Sequence, residues 1–265
     1  MITKEQIEQF DTQGAVTIDT PLTPDQLAAA RKIFDELLPQ EDVSSGERRN
    51  RVGKTGNIFE QELLDIIQSP FLEEVAKRVL RADAVTFFQT AIIKAYPEPD
   101  AEFSFSEHTD IQYCTSDFES MPRRMVCSYF LWLNDVNEKR APMMHRPGSH
   151  LLIAQHRQND SRLAEDAPAV KGASKELLPD LPYSDPVPVT ATAGQVSVLT
   201  TSMVHAGSTN VDTEPRYAFV ITFHPREFYI GLPESQAEAK IKYDAELKAQ
   251  LRSDRRHLID TTWRG

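Results

Sequence analysis

The stretch RYAFVITF (216–223) decides the fold, because β-branched and aromatic side chains dominate eight consecutive positions. Such a run is typical of a buried β-strand. Three other stretches have the same character: VTFFQTAIIKAY (85–96), RMVCSYFLWL (124–133) and QVSVLT (195–200). Turn residues such as Pro147-Gly148-Ser149 separate these runs. We therefore predict a mainly β fold with flanking helices, a double-stranded β-helix (jelly-roll, cupin-like) barrel.

Helical patterns lie on both sides of this β-rich region. Thr23-Pro24 is a typical helix start, and the segment from Glu234 to Arg256 is rich in helix-forming residues. We predict one domain over 1–265, with N-terminal helices at about 1–80, a jelly-roll core at about 85–230 and a C-terminal helical tail at about 234–265. The polar, proline-rich insert 157–189 is predicted to act as a lid.

Composition narrows the class of partner. The chain carries a net charge of −11, which disfavours nucleic acid and anionic membranes as partners. No apolar run has the length of a membrane span, and the N-terminus lacks a secretory pattern. Two cysteines, Cys114 and Cys127, are too few for a zinc cluster and suit a reducing compartment. We expect a cytoplasmic protein that acts on a small molecule.

Metal-binding residue types occur at a spacing that suits one strand. His108 and Asp110 are two residues apart, so on a strand their side chains would point the same way. Of the seven histidines, His108 alone has an acid two residues later. Two histidines and one carboxylate form the ligand set of non-haem Fe(II) sites, so a third ligand is needed. The plainer interpretation is a surface histidine beside a solvated aspartate.

His205 is the candidate third ligand, and Arg216 follows it by 11 residues at the start of the strand 216–223. A buried arginine at a strand end requires an anionic partner, and a dicarboxylate would supply one through paired hydrogen bonds. The alternative for Arg216 is an exposed strand-end charge. His145 and His150 compete with His205 as the third ligand, although we favour a structural role for His150 in its Pro-Gly-Ser-His turn.

The ordered set of His108, Asp110, His205 and Arg216 resembles the iron and 2-oxoglutarate site of the phytanoyl-CoA dioxygenase family. The resemblance extends from about Thr3 to Phe223. It includes the N-terminal helix-strand-helix pattern, the turn RPGSH (146–150) and the loop HAGSTN (205–210).

The resemblance implies the roles of individual residues. His108, Asp110 and His205 would bind Fe(II), with 2-oxoglutarate and O2 as cosubstrates, and Arg216 would bind the distal carboxylate of 2-oxoglutarate. Related halogenases lack the carboxylate, so Asp110 favours hydroxylation. Five further candidates for the site are Ser208, Lys94, Tyr129, Gln89 and Thr90. Some relatives carry a hydroxyl residue two positions after the distal histidine, where this chain has Gly207.

The substrate is the least constrained part of the prediction. We expect a small metabolite that could carry negative charge, bound by Arg48, Arg49 or Arg51, although these residues could equally form a solvated loop. Gln112 and Tyr113 could line the same pocket. The alternatives are an acyl-CoA hydroxylase of the same family, a metalloenzyme that does not use 2-oxoglutarate, and a non-catalytic metal-binding jelly-roll protein.

Overall fold

A computed structural model of the chain describes residues 1–40, 50–159, 170–171, 177–228 and 234–259. In chain order the strands are β1 (Ala15–Ile18), β2 (Arg51–Thr55), β3 (Val85–Ala95), β4 (Ile111–Gln112), β5 (Cys127–Trp132), β6 (Met143–His145), β7 (Val170–Lys171), β8 (Val187–Val189), β9 (Val196–Thr200), β10 (His205–Gly207) and β11 (Arg216–Pro225). The helices are α1 (Lys4–Gln13), α2 (Pro24–Leu37), α3 (Gln61–Ile67), α4 (Pro70–Leu80), α5 (Thr115–Glu119), α6 (Ser149–Asn159) and α7 (Glu234–Gln250), followed by a 3-10 helix at Ser253–Leu258.

Two antiparallel sheets form the body of the fold. The major sheet has six strands in the order β1-β9-β5-β11-β3-β2, and the minor sheet has three in the order β10-β6-β8. Strands β4 and β7 form a separate pair. The predicted fold class, mainly β with flanking helices, is confirmed. In the described part of the chain no pairing joins the edges of the two sheets, so the jelly-roll is not closed as a barrel.

The two faces of the major sheet pack against different elements. On one face, which we call the outer face, Phe219 packs with Phe34 of α2 and Val75 of α4 in the larger apolar cluster. On the other, the inner face, Trp132 and Ala218 pack against the minor sheet. Alternation along each strand separates the two sets, because neighbouring side chains point to opposite faces. A side chain's face therefore decides whether it can reach the space between the sheets.

The N-terminal helices begin and end at residues that are typical of helix termini. Thr3 and Thr23 each form a capping box, in which the threonine side chain accepts a backbone hydrogen bond from a glutamine three residues later. Gly14 ends α1 in the left-handed conformation, with φ at 84°. Ser69-Pro70 separates α3 from α4, because the proline takes the first position of α4.

Parts of two predictions lie outside the described residues. Arg48 and Arg49, two of the proposed substrate-binding arginines, lie outside them, as do residues 160–169 and 172–176 of the insert 157–189. The described portion of that insert includes β7, which pairs with β4. Strand β4 begins at the residue after Asp110. No helix in the described part of the chain is both long and apolar enough to cross a membrane.

Candidate metal centre and cosubstrate site

Backbone pairing brings His108 and His205 together from distant parts of the chain. Each residue donates its backbone N–H to the other's carbonyl, at 2.9 Å in both directions. The N–H groups of Asp110 and Ile111 both donate to the carbonyl of Thr201, at 3.0 and 3.1 Å. The segment is thus a bridge followed by a two-residue strand rather than the continuous strand that we predicted, yet it still presents His108 and Asp110 together.

The three side chains form a compact cluster of donor atoms. Nε2 of His108 lies 3.5 Å from one carboxylate oxygen of Asp110, and Nε2 of His205 lies 3.7 Å from the other. One ligand atom from each residue lies within 4.8 Å of the other two. Two imidazoles and one carboxylate at these separations fit the facial ligand set of an Fe(II) oxygenase site.

The protonation states also suit metal binding. Nδ1 of His205 lies 2.9 Å from the carbonyl of Met203, so this nitrogen donates its proton and Nε2 keeps a lone pair. Burial lowers the pKa of His205, which favours the neutral imidazole. Burial alone would raise the pKa of Asp110, but the nearby imidazoles of His205 and His108 outweigh it and hold the pKa below its ordinary value. Neutral imidazole and ionised carboxylate are the forms that bind metal.

The cluster and Arg216 share the space between the sheets. Arg216 is two residues before Ala218, so both side chains point to the inner face of the major sheet. Gly207 pairs with Met143, whose side chain packs into the same inner cluster, and His205 is two residues before Gly207. Both His205 and Arg216 therefore face inward from opposite sheets.

Arg216 is buried without a counterion among the described residues. Its side chain is 2% exposed, and its Nε atom has no hydrogen-bond partner. The guanidinium carbon lies 5.8 Å from the centre of the Trp132 ring. Burial, followed by the charge of Arg51, lowers the pKa of Arg216 to about 9. A buried cation of this kind fits an anionic ligand, which would satisfy its charge and its N–H groups.

Asn134 positions the start of β11. Its side-chain amide donates to the carbonyl of Pro215 at 2.7 Å and accepts from the N–H of Tyr217 at 3.1 Å. These two bonds bracket Arg216 and hold its backbone in place. Sequence reasoning missed this role, because nothing in the sequence links Asn134 to Arg216.

The structure does not bring Lys94 and Tyr129 to this site, which corrects the prediction for both. Lys94 pairs with Tyr217, one residue out of phase with Arg216, and its ammonium contacts Asp35 on the outer side. Tyr129 also points to the outer face, and its hydroxyl donates to the carbonyl of Leu72 at 3.0 Å. Both side chains belong to the packing between sheet and helices.

The remaining candidates from the resemblance also lie away from the cluster. The Ser208 hydroxyl donates to the carbonyl of Pro142 at 2.6 Å and points opposite to Gly207, so the structure does not bring it to Arg216. Thr90 faces outward, 3.3 Å from the hydroxyl of Tyr243. Gln89 is exposed at the far end of the inner face.

The competing histidines are not part of the donor cluster. His145 lies beside His205 in the minor sheet, and burial lowers its pKa to about 4. His150 lies against α1, with Nε2 3.1 Å from the carbonyl of Asp11. Tyr113 is fully buried and hydrogen-bonded to Thr201 at 3.0 Å, which makes it a core residue rather than a pocket lining.

Sequence reasoning missed an ion pair behind His108. Arg146 binds Glu107 through two nitrogens, at 2.5 and 3.1 Å, and also donates to the carbonyl of Ser184 at 2.8 Å. Glu107 is buried and directly precedes His108. The pair ties the histidine's segment to the turn before α6. In the sequence, only the position of Glu107 next to His108 hints at a role for it. Its partner Arg146 is 39 residues away, so the pairing is not visible from local spacing.

Known structures share this architecture. The carbocyclase SnoK from nogalamycin biosynthesis matches with a TM-score of 0.63 at 21% identity, over 84% of each chain. The epimerase SnoN, in complex with Fe3+, alpha ketoglutarate and nogalamycin RO, matches with a TM-score of 0.59 at 18% identity, over 84% of this chain and 83% of that one. EctD from S. alaskensis, with 2-oxoglutarate and 5-hydroxyectoine, matches with a TM-score of 0.54 at 18% identity, over 87% of this chain and 78% of that one. Comparison with curated protein sequences found no match.

The fold together with the His-Asp-His cluster defines a jelly-roll oxygenase of the non-haem iron class. The profile of the phytanoyl-CoA dioxygenase (PhyH) family matches residues 10–218, so the chain belongs to that family. It is accordingly an Fe(II)- and 2-oxoglutarate-dependent oxygenase, with Fe(II), 2-oxoglutarate and O2 as the reaction's cofactor and cosubstrates. The resemblance stated from the sequence is confirmed.

Proposed function

We propose that this oxygenase hydroxylates a small metabolite, with His108, Asp110 and His205 as the Fe(II) ligands and Arg216 as the anchor of 2-oxoglutarate. The observation that carries the proposal is the buried Arg216, which faces the same space as the cluster and has no carboxylate partner among the described residues. A metal site alone would not require such a cation. A dicarboxylate bound between the metal and the guanidinium would use both.

Each residue's contribution follows from its environment. Iron held there would supply the oxidative decarboxylation of 2-oxoglutarate to succinate and CO2, coupled to hydroxylation of the substrate. The hydrogen bond from His205 to Met203 keeps Nε2 directed at Asp110, and Asp110 contributes a negative charge. Arg216 would hold the distal carboxylate by two parallel hydrogen bonds, which fixes the direction in which the keto acid reaches the cluster. Its burial excludes competing water.

The substrate proposal rests on charge. A protein with a net charge of −11 disfavours a large polyanionic carrier such as CoA, so we favour a small metabolite, including small anions. Arg48 and Arg49 stay predictions for binding it, as does a lid formed by the insert 157–189. Part of that insert pairs with β4 next to Asp110, which places the backbone of β7 beside the cluster.

Binding measurements without oxygen test the site. In calorimetric titrations of the Fe(II)-loaded protein, Arg216→Gln is expected to weaken 2-oxoglutarate binding by roughly 30-fold or more, because a buried charge pair is lost. Arg226→Gln, just beyond the other end of β11, is the matched control and should bind normally. Unchanged affinity in Arg216→Gln would count against the proposal.

Turnover measurements test the metal ligands and the substrate class. Asp110→Ala is expected to abolish substrate-dependent succinate formation, and wild-type turnover in this variant would refute its role as a ligand. A screen of succinate release with small acids and acyl-CoAs then separates the two substrate classes. Stimulation by acyl-CoAs alone would overturn the small-metabolite assignment.

A further inference from the structure

Three residues form a row across the major sheet, one on each of the neighbouring strands β2, β3 and β11. Arg51 on β2 and Arg216 on β11 both pair with Ala95 on the strand between them. Directly paired residues in antiparallel strands project to the same face, so both guanidinium groups extend to the inner face. Their backbones are about 10 Å apart, twice the spacing of neighbouring strands. The small side chain of Ala95 leaves space between them.

Arg51 also closely approaches the strand that carries His205. A Cβ atom placed on Gly207 would lie 2.6 Å from Nη1 of Arg51 and 3.5 Å from its guanidinium carbon. Gly207 is two residues after His205 and faces the same way. The guanidinium of Arg51 therefore occupies the space that any side chain at 207 would fill. A glycine at 207 is what permits this approach.

We propose that Arg51 and Arg216 together bind the distal carboxylate of 2-oxoglutarate. The inference rests on the proposed function, since it assumes that Arg216 anchors the cosubstrate. A carboxylate has two oxygens with about four acceptor positions, so two guanidinium groups are able to bind it at once. Arg51 would thus act on the cosubstrate rather than on the substrate, which differs from the role that the sequence suggested for it.

The position of Arg51 argues for this assignment. Arg51 lies against Gly207, the last residue of β10. Its positive charge acts on both His205 and Arg216. An anion between the two guanidinium groups would therefore be attracted to both. An anionic substrate bound by Arg51 would have to share the space between the two guanidinium groups with the cosubstrate.

The test compares two keto acids that differ at the distal carboxylate. Anaerobic calorimetry on the Fe(II)-loaded protein measures the affinity for 2-oxoglutarate and for 2-oxopentanoate, which lacks that group. Arg51→Ala is expected to lose roughly 10-fold or more in 2-oxoglutarate affinity, the usual effect of removing a hydrogen bond to a charged group. Its affinity for 2-oxopentanoate should stay unchanged. Lys54→Ala, which removes the same charge from the opposite face of β2, is the control.

A second pair of variants tests the geometry. Gly207→Ser should also weaken 2-oxoglutarate binding, because its Cβ displaces Arg51. The double variant Arg51→Ala/Gly207→Ser should bind 2-oxoglutarate more tightly than Arg51→Ala, since the serine hydroxyl then replaces the lost donor. If the double variant binds 2-oxoglutarate no more tightly than Arg51→Ala does, then a side chain at position 207 does not occupy the place of the Arg51 guanidinium, and the geometry is refuted.

The outcomes separate this inference from the proposed function. If Arg51→Ala binds both keto acids normally while Arg216→Gln loses 2-oxoglutarate, the role of Arg51 is refuted and the proposed function stands. If Arg51→Ala raises only the KM of the substrate, Arg51 belongs to the substrate site and the inference is again refuted. If neither variant changes 2-oxoglutarate affinity, both proposals are wrong.

Discussion

At the scale of single residues, the ion pair behind His108 should determine metal affinity. Glu107 binds Arg146 through both of its oxygens, and losing that charge would loosen the segment that carries the histidine. We expect Glu107→Gln to weaken Fe(II) binding by roughly 10-fold, as is typical when a residue that supports a ligand is changed. Anaerobic metal titration measures this, with the exposed Glu102→Gln as control. Equal affinity in both variants would show that the pair does not position His108.

The placement of side chains was predictable where it depended on local spacing, and the prediction failed where placement depended on strand register. His108 and Asp110 are close in sequence, so their common direction follows from any extended backbone. Lys94 and Tyr129 were placed in the site without knowing which residues they pair with. Lys94 pairs with Tyr217 rather than Arg216, and that single-residue offset turns it to the outer face.

At the scale of elements, the junction between α1 and β1 depends on Gly14. Its φ is 84°, and an added Cβ would lie 2.7 Å from Nδ1 of His150. Gly56 has a similar φ of 65° but no atom within 4 Å of an added Cβ. We expect Gly56→Ala to cost about 1 kcal/mol of unfolding free energy from backbone strain, and Gly14→Ala about 3 kcal/mol because overpacking adds to it. Urea denaturation measures both, and equal costs would contradict the clash.

Long apolar elements were predictable, whereas the minor sheet was not. The strands of the major sheet carry runs of β-branched and aromatic residues, and the helix caps carry threonine and glycine signals. The minor-sheet strands β6, β8 and β10 are three residues each and have no such run. Their formation depends on pairing partners that are distant in the sequence, so the loop predicted around His205 became a strand.

At the scale of the whole molecule, His150 joins several elements. It lies on α6, its Nε2–H donates to the carbonyl of Asp11 on α1, and the ring of Phe118 from α5 lies 5.5 Å away. Burial lowers its pKa from 6.5 to about 4, with the charge of Arg123 acting in the same direction and the contacts with Asp11 opposing. The folded protein therefore holds this imidazole neutral well below the pH at which the unfolded chain protonates it.

This difference predicts a loss of stability in acid that one substitution should reduce. Between pH 6.5 and pH 4 the unfolded state binds a proton at His150 that the folded state does not, so the free energy of unfolding falls as pH decreases through that window. From pH 7 to pH 5 the loss from this residue is about 2 kcal/mol. His150→Gln removes the titrating group, whereas His156→Gln changes an exposed histidine of the same helix and is the control. Urea denaturation at the two pH values should therefore show a smaller decrease for His150→Gln than for the parent and the control. Equal decreases in all three proteins would mean that protons reach the buried imidazole without unfolding the helices around it.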